Sequence, residues 1–168
     1  MALTMYQALV PPAARMLHNL AVVLEKAEAH ADAQGIEASV LIEARLYPDM
    51  LPLSRQVQIA TDIASRGAAR LADKEPASVP DTERSFDELD QRIRHAIEYL
   101  ESFPREQIDG SEERSIRFKA GGEDVTLNGR DYLLHFVWPN VYFHITTAYA
   151  ILRHNGVPLG KRDYLGGR

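Results

Sequence analysis

The sequence predicts an all-α domain, a four-helix bundle with one small β-hairpin placed before the last helix. Three observations carry this: four long stretches whose apolar residues recur at helical spacing, one short stretch that switches to alternation, and punctuation by Gly, Pro and capping residues between them.

The first stretch runs from about Thr4 to Gln34, with Leu9, Ala13, Met16, Leu20, Val23, Leu24 and Ala27 on one stripe. Pro11 and Pro12 fall in its early turns, so the helix either starts there or is kinked there. Gly35 supplies the stop. A short helical connector follows over Ala38 to Leu46. Tyr47-Pro48-Asp49 then breaks it, because a residue before proline is pushed out of the helical region, and Asp49 is a plausible N-cap for the next helix. That second long helix reaches about Ala72, its face made of Leu53, Val57, Ala60, Ala64, Ala68 and Leu71; the alanines let a neighbouring helix approach closely.

Asp73 to Asp81 has the composition of a surface link, two prolines among charges. Ser85-Phe86-Asp87-Glu88 matches a capping box and opens a third helix, faced by Phe86, Leu89, Ile93, Ala96, Ile97 and Leu100 and ended by Pro104. Between Arg114 and Leu127 the period becomes two: Ile116 and Phe118 alternate with polar neighbours, and Gly121-Gly122 precedes Val125 and Leu127. This is a hairpin, and an isolated two-stranded hairpin is marginal in water, so it lies against the bundle. Asn128 caps a final helical stretch that ends near Asn155, with Gly156 and Pro158 beyond it. Pro139 inside that stretch deprives the His135 carbonyl of its usual partner, so a kink or break is expected near Trp138. Four helices with one long connection make a bundle with at least one crossover.

Composition narrows the function. A chain of 168 residues, 45% hydrophobic and 26% charged, is long enough to bury a core without staples. Its net charge of -5 offers no basic face for nucleic acid or an anionic membrane, and the basic pair Lys161 and Arg162, beside Asp163, reads as a solvated tail. The absence of Cys removes disulfides, thiolate ligands and cysteine nucleophiles, and fits a reducing compartment. No leader-like N-terminus and no apolar run near ~20 residues is present, so a cytoplasmic protein is expected.

The best candidate site is on the last helix. At 100° per residue Asn140 and His144 stand about 40° apart, with Thr147 and Ile151 on the same side. His135 is about 180° from His144 on an ideal helix and His154 about 80° away. Ligands four apart on one helix face are an economical half of a metal site, but an asparagine amide is a poor ligand for zinc or nickel; the plainer reading is a buried, hydrogen-bonded polar pair. On the second long helix Gln58 and Asp62 share a face and Gln56 is displaced from them, all suited to a solvated face or an inter-helix hydrogen bond. His18, His30 and His95 lack a partner pattern. Tyr132, Phe136, Trp138, Tyr142, Phe143 and Tyr149 surround the last helix, which reads as largely buried core, a pocket wall or a dimer face. No phosphate loop, Ser-His-Asp order or paired-carboxylate signature stands out.

Several segments together carry a resemblance: Met5-Tyr6-Gln7, Arg45-Leu46-Tyr47-Pro48-Asp49-Met50, Arg55-Gln56-Val57-Gln58-Ile59-Ala60, Gly129-Arg130-Asp131-Tyr132-Leu133-Leu134-His135-Phe136, and the run from Pro139-Asn140-Val141-Tyr142-Phe143-His144 through Tyr149 and Ile151 to Asp163. The chain resembles the bacterial domain-of-unknown-function family numbered 1993, within the wider DinB and YfiT-like superfamily. The resemblance implies an up-down-down-up bundle, often a homodimer. In metal-binding members one histidine of the second helix joins a His-x-x-x-His pair of the last helix around nickel or zinc, and some act as thiol-dependent transferases or isomerases. Carried over, the last-helix pair falls on Asn140 and His144, and the second-helix ligand falls where only Gln56, Gln58 or Asp62 is available, since no histidine lies between His30 and His95.

The expectation is therefore a protein without a cofactor that binds a small molecule around Asn140, His144, Thr147 and Gln58, or serves as a structural dimer. The alternatives are a divergent metal-dependent thiol transferase, isomerase or hydrolase holding nickel or zinc on His144, and a stress or interaction protein whose partner docks on the aromatic last helix.

Overall fold

A computed structural model describes residues 2–167. Helix α1, Met5–Gln34, begins six residues before Pro11 and carries a full capping box: Thr4 Oγ1 accepts from the Gln7 amide and the Gln7 side chain returns to the Thr4 amide. Both prolines lie inside the helix. Pro12 has no N–H to give the Ala8 carbonyl, and the vacancy is filled from elsewhere in the chain, by the indole Nε1–H of Trp138 at 3.1 Å. The helix therefore needs no restart at its prolines.

The connector is shorter than its sequence suggests, α2 covering Ala38–Ile42, and α3 spans Leu53–Leu71 with Pro52 at its N-cap position. Asp49 is thus not the cap; it lies in a turn closed by the Met50 amide on the Tyr47 carbonyl, and proline takes the cap position without a side-chain bond. Helix α4, Phe86–Glu101, starts with the expected capping box of Ser85 and Glu88. A single turn, α5, Arg105–Ile108, follows Pro104. Strands β1, Ser115–Ala120, and β2, Glu123–Asn128, pair antiparallel with Phe118 opposite Val125, joined through Gly121 and Gly122 at positive φ, as a two-residue turn demands. The hairpin is anchored by Phe118, whose ring sits 4.9 Å from Tyr132 and 4.4 Å from Phe136.

The last long stretch is not one regular helix. A turn, α6, Gly129–Asp131, leads into a π-helical segment, Tyr132–Val137, and then α7, Trp138–His154. The Trp138 amide donates to the Leu133 carbonyl, five residues back instead of four. This wider turn immediately before Pro139 is the break in regular α-helix expected near Trp138. Gly67 of α3 faces this segment; a Cβ there would sit 3.1 Å from both Val137 methyls, so glycine permits the close approach.

A final short helix, α8, Lys161–Leu165, docks on α1. Lys161 and Arg162 are exposed as expected of a solvated tail, but Lys26 pairs with Asp163 at 2.5 Å and Asn19 Nδ2 donates to the Tyr164 carbonyl, so the tail as a whole is packed. The core lies where α1 meets α4 and where α3 meets α4 and α7. Contacts between α3 and the following chain rise together in number: Arg55 with Asp81, Gln58 with Glu83, Thr61 and Asp62 with Arg92. Helix α4 therefore runs beside α3 in the same direction, and residues 73–85 form a strap that carries the chain back. Among the described residues no helix is long and apolar enough to cross a membrane.

Candidate functional site

The imidazole of His144 lies on the face of α7 turned toward α3, 9% exposed. Its partner is Gln56, 2% exposed, whose Oε1 stands 2.8 Å from Nδ1. Gln56 is itself fixed, because its Nε2 donates to the Leu51 carbonyl at 3.0 Å. That bond identifies the atom facing the histidine as the amide oxygen, an acceptor only, so Nδ1 carries the proton and Nε2 the lone pair. Burial lowers the affinity of this imidazole for a second proton, and it is neutral near pH 7. No protein group among those described bonds Nε2, and Nε2 is not among the sealed polar atoms, since the one buried side-chain polar atom without a partner is Ser111 Oγ. The ring of Phe143 meets the imidazole edge-on, centroids 5.2 Å apart. The result is an oriented, neutral hydrogen-bond acceptor at the rim of the α3–α7 seam.

The other predicted site residues do not gather there. Asn140 is half-buried and spends its Nδ2 on the Phe136 carbonyl at 2.7 Å, inside its own helix. The asparagine side chain thus bonds back to the carbonyl one turn before it, as short polar side chains do within helices. Thr147 likewise turns back, Oγ1 donating to the Phe143 carbonyl at 2.7 Å. Gln58 is on a different face of α3, because two residues rotate a helix by about 200°; it bonds Glu83 of the strap at 2.8 Å and accepts from Arg55. Asn140 and His144 thus share a helix face without forming the hydrogen-bonded pair expected of them. The residue that does meet His144 is Gln56, which spacing had set apart from Gln58 and Asp62.

This donor set does not suit a metal. One imidazole faces one amide that is already hydrogen-bonded, and among the described residues no three His, Asp or Glu side chains are placed to hold a metal ion. A nickel or zinc ion needs at least two more strong donors than the seam offers, and the three acids Asp62, Asp81 and Glu83 that gather elsewhere do so on Arg92.

The aromatics of the last helix divide. Tyr132 is fully buried, and Trp138 stacks on Tyr142 at 4.9 Å. Tyr142 and Phe143 are 44% and 57% exposed, so the helix is not buried around its circumference. Leu46, Tyr47 and Leu51, just ahead of α3, are exposed too.

The fold is similar to that of a solved structure, a DinB family member protein from Shewanella denitrificans, at 40% identity and a TM-score of 0.87, covering 97% of this chain and 92% of that one. None of the curated proteins matches the chain. The model of one family, the domain of unknown function DUF1993, matches residues 5–165, and the chain belongs to that family.

Proposed function

We propose that this protein is a metal-free DinB-like four-helix bundle, α1, α3, α4 and α7 in the order up-down-down-up, that binds a small molecule through His144. The reading rests on the 2.8 Å contact between His144 Nδ1 and Gln56 Oε1. The position from which the second long helix would offer a ligand holds an amide that orients the imidazole and leaves Nε2 to accept a hydrogen bond from an incoming O–H or N–H group. Asn140, Thr147 and Gln58 have their side chains engaged elsewhere, so in this reading Asn140 and Thr147 shape the helix that presents His144, and Gln58 supports the opposite face of α3. A thiol transferase, isomerase or hydrolase acting through nickel or zinc on His144 is the weaker alternative, because two donors are missing.

Titration of purified protein with zinc or nickel, followed by calorimetry, tests the metal-free part: the expected outcome is no stoichiometric binding lost in a His144→Ala variant. Tight 1:1 binding that depends on His144 overturns it.

A cytoplasmic homodimer completes the proposal. The exposed Tyr142 and Phe143 of α7, with Leu46, Tyr47 and Leu51, are what a second copy would cover. Light scattering should give twice the 18.9 kDa chain mass; a monomer at tens of micromolar removes the dimer from the reading.

A further inference from the structure

A second site lies on the other side of α3. A cavity of about 400 Å³ opens between α3, α4 and the strap of residues 73–85, in the size range of small-molecule pockets. We propose that it binds a small monocarboxylate with an apolar body. The inference stands independently of the His144 reading.

The hydrogen-bond inventory of the walls carries it. Arg92 lies beneath the strap with a side chain only 3% exposed, and four of its five N–H donors make hydrogen bonds: Nε to Thr61 Oγ1, Nη1 to the Pro80 carbonyl and Glu83, and Nη2 to Asp62, with Asp81 ion-paired to Nη2 at 3.1 Å. The wall carboxylates are equally engaged. Asp62 gives one oxygen to Arg92 and the other to Arg66, and Glu83 gives one to Arg92 and the other to Gln58. In this network Arg55, Arg66 and Arg92 balance Asp62, Asp81 and Glu83. A cationic ligand therefore finds these acids already paired.

What the cavity still offers is mainly donors. Arg66 holds only Asp62, through Nη2, leaving Nε and Nη1. The side chains of Ser65, Thr82 and His95 and the Tyr99 hydroxyl, all lining the cavity, make no hydrogen bond among the described residues. Because α4 runs beside α3 in the same direction with Arg92 level with Asp62, Arg66 falls at the same end as His95 and Tyr99. Glu88, the acid with an unengaged oxygen, falls one turn before Arg92, about 12 Å from the Arg66 level at 1.5 Å per residue. The apolar lining, Val79 and Ala96 with the Tyr99 ring, fits a hydrocarbon body. An acceptor-rich anionic head seats on Arg66, whose planar fork matches a carboxylate.

The test is calorimetric titration with a series of monocarboxylates, from butyrate to octanoate and 4-phenylbutyrate, set against 4-phenylbutyramide and 4-phenylbutylamine, with amide NMR shifts locating any binding. The expected result is saturable binding of at least one acid, shifts confined to α3, α4 and the strap, and no binding of amide or amine. Arg66→Gln should weaken the acid by about tenfold or more, the scale of a lost charge-assisted hydrogen bond, and His144→Gln should leave it unchanged. Failure of every acid to saturate, equal binding of the amide or amine, or full affinity in Arg66→Gln overturns the proposal. If the His144→Gln variant alone loses binding, the acid sits at the seam and this site is rejected.

Discussion

Trp138 of α7 donates its indole N–H to the carbonyl of Ala8 in α1, 130 residues away in sequence, and this is the carbonyl that Pro12 leaves without a helical partner. Two local irregularities are thereby joined: the proline pair in the first helix and the Trp-Pro step that follows the π turn in the last.

The pairing predicts an interaction energy. Trp138→Phe keeps an aromatic side chain but leaves the Ala8 carbonyl unpaired, at a cost of ~1–3 kcal/mol in urea unfolding. Pro12→Ala restores a backbone donor to the same carbonyl, so in that background the tryptophan substitution should cost about 1 kcal/mol less. Additive losses in the double-mutant cycle would show that the indole contributes by packing alone.

Arg92 is the hub under the strap. Removing it leaves Asp62, Asp81 and Glu83 facing one another with their main cation gone, and Arg92→Ala should lower unfolding stability by ~3–5 kcal/mol. Adding Glu83→Gln to that variant should recover part of the loss, because it removes a buried uncompensated charge. A variant as stable as the parent would mean that the strap is held by other contacts.

Two steps are expected in the dependence of stability on pH. His144 is depressed by burial, so the unfolded chain takes up a proton before the folded protein does; its contribution is complete above the ordinary histidine value of 6.5 and declines as pH falls through it. For Glu83, burial raises the carboxyl, but the hydrogen bonds from Arg92 and Gln58, with the Arg92 charge, outweigh it and hold the group below its ordinary 4.5. That contribution is present above the ordinary value and is lost as pH drops below it. Denaturant melts across pH 3.5–8 in His144→Gln and Glu83→Gln should each erase one step, the upper and the lower respectively.

If two missing donors are what keep metal away, supplying them should bring it in. The double variant Gln56→His, Asn140→His places imidazoles on the residue that already meets His144 and on the helix turn before it. Zinc or nickel should bind stoichiometrically and raise the thermal midpoint. Asn140 supplies a bond to the Phe136 carbonyl, so the apo variant should be ~1 kcal/mol less stable than the parent.

Much of the fold was legible because its signals are local. Ser85 and Glu88 announce α4, the alternation of Ile116 and Phe118 with Gly121-Gly122 gives the hairpin, and Gly156 with Pro158 marks the end of α7. The misreadings have non-local causes. Pro11 and Pro12 look like a helix start until Trp138 supplies the missing donor. The strap is exposed over most of its length, as a surface link should be, but nothing in its own composition says that Pro80, Asp81 and Glu83 close on an arginine of the next helix. At the seam, helical spacing put His144 on one face with Asn140, but the asparagine side chain bonds back to the Phe136 carbonyl of its own stretch. Its actual partner, Gln56, is 88 residues away, and only the packing of α3 on α7 brings the two together.

The state of the His144 ring decides most directly between the two chemistries open to this seam. Long-range ¹H–¹⁵N NMR at pH 7 should show a neutral imidazole protonated on Nδ1, with Nε2 carrying a lone pair and its shift unmoved by one equivalent of zinc. An imidazolium, a proton on Nε2, or a zinc-induced shift of Nε2 would contradict a metal-free acceptor oriented by Gln56.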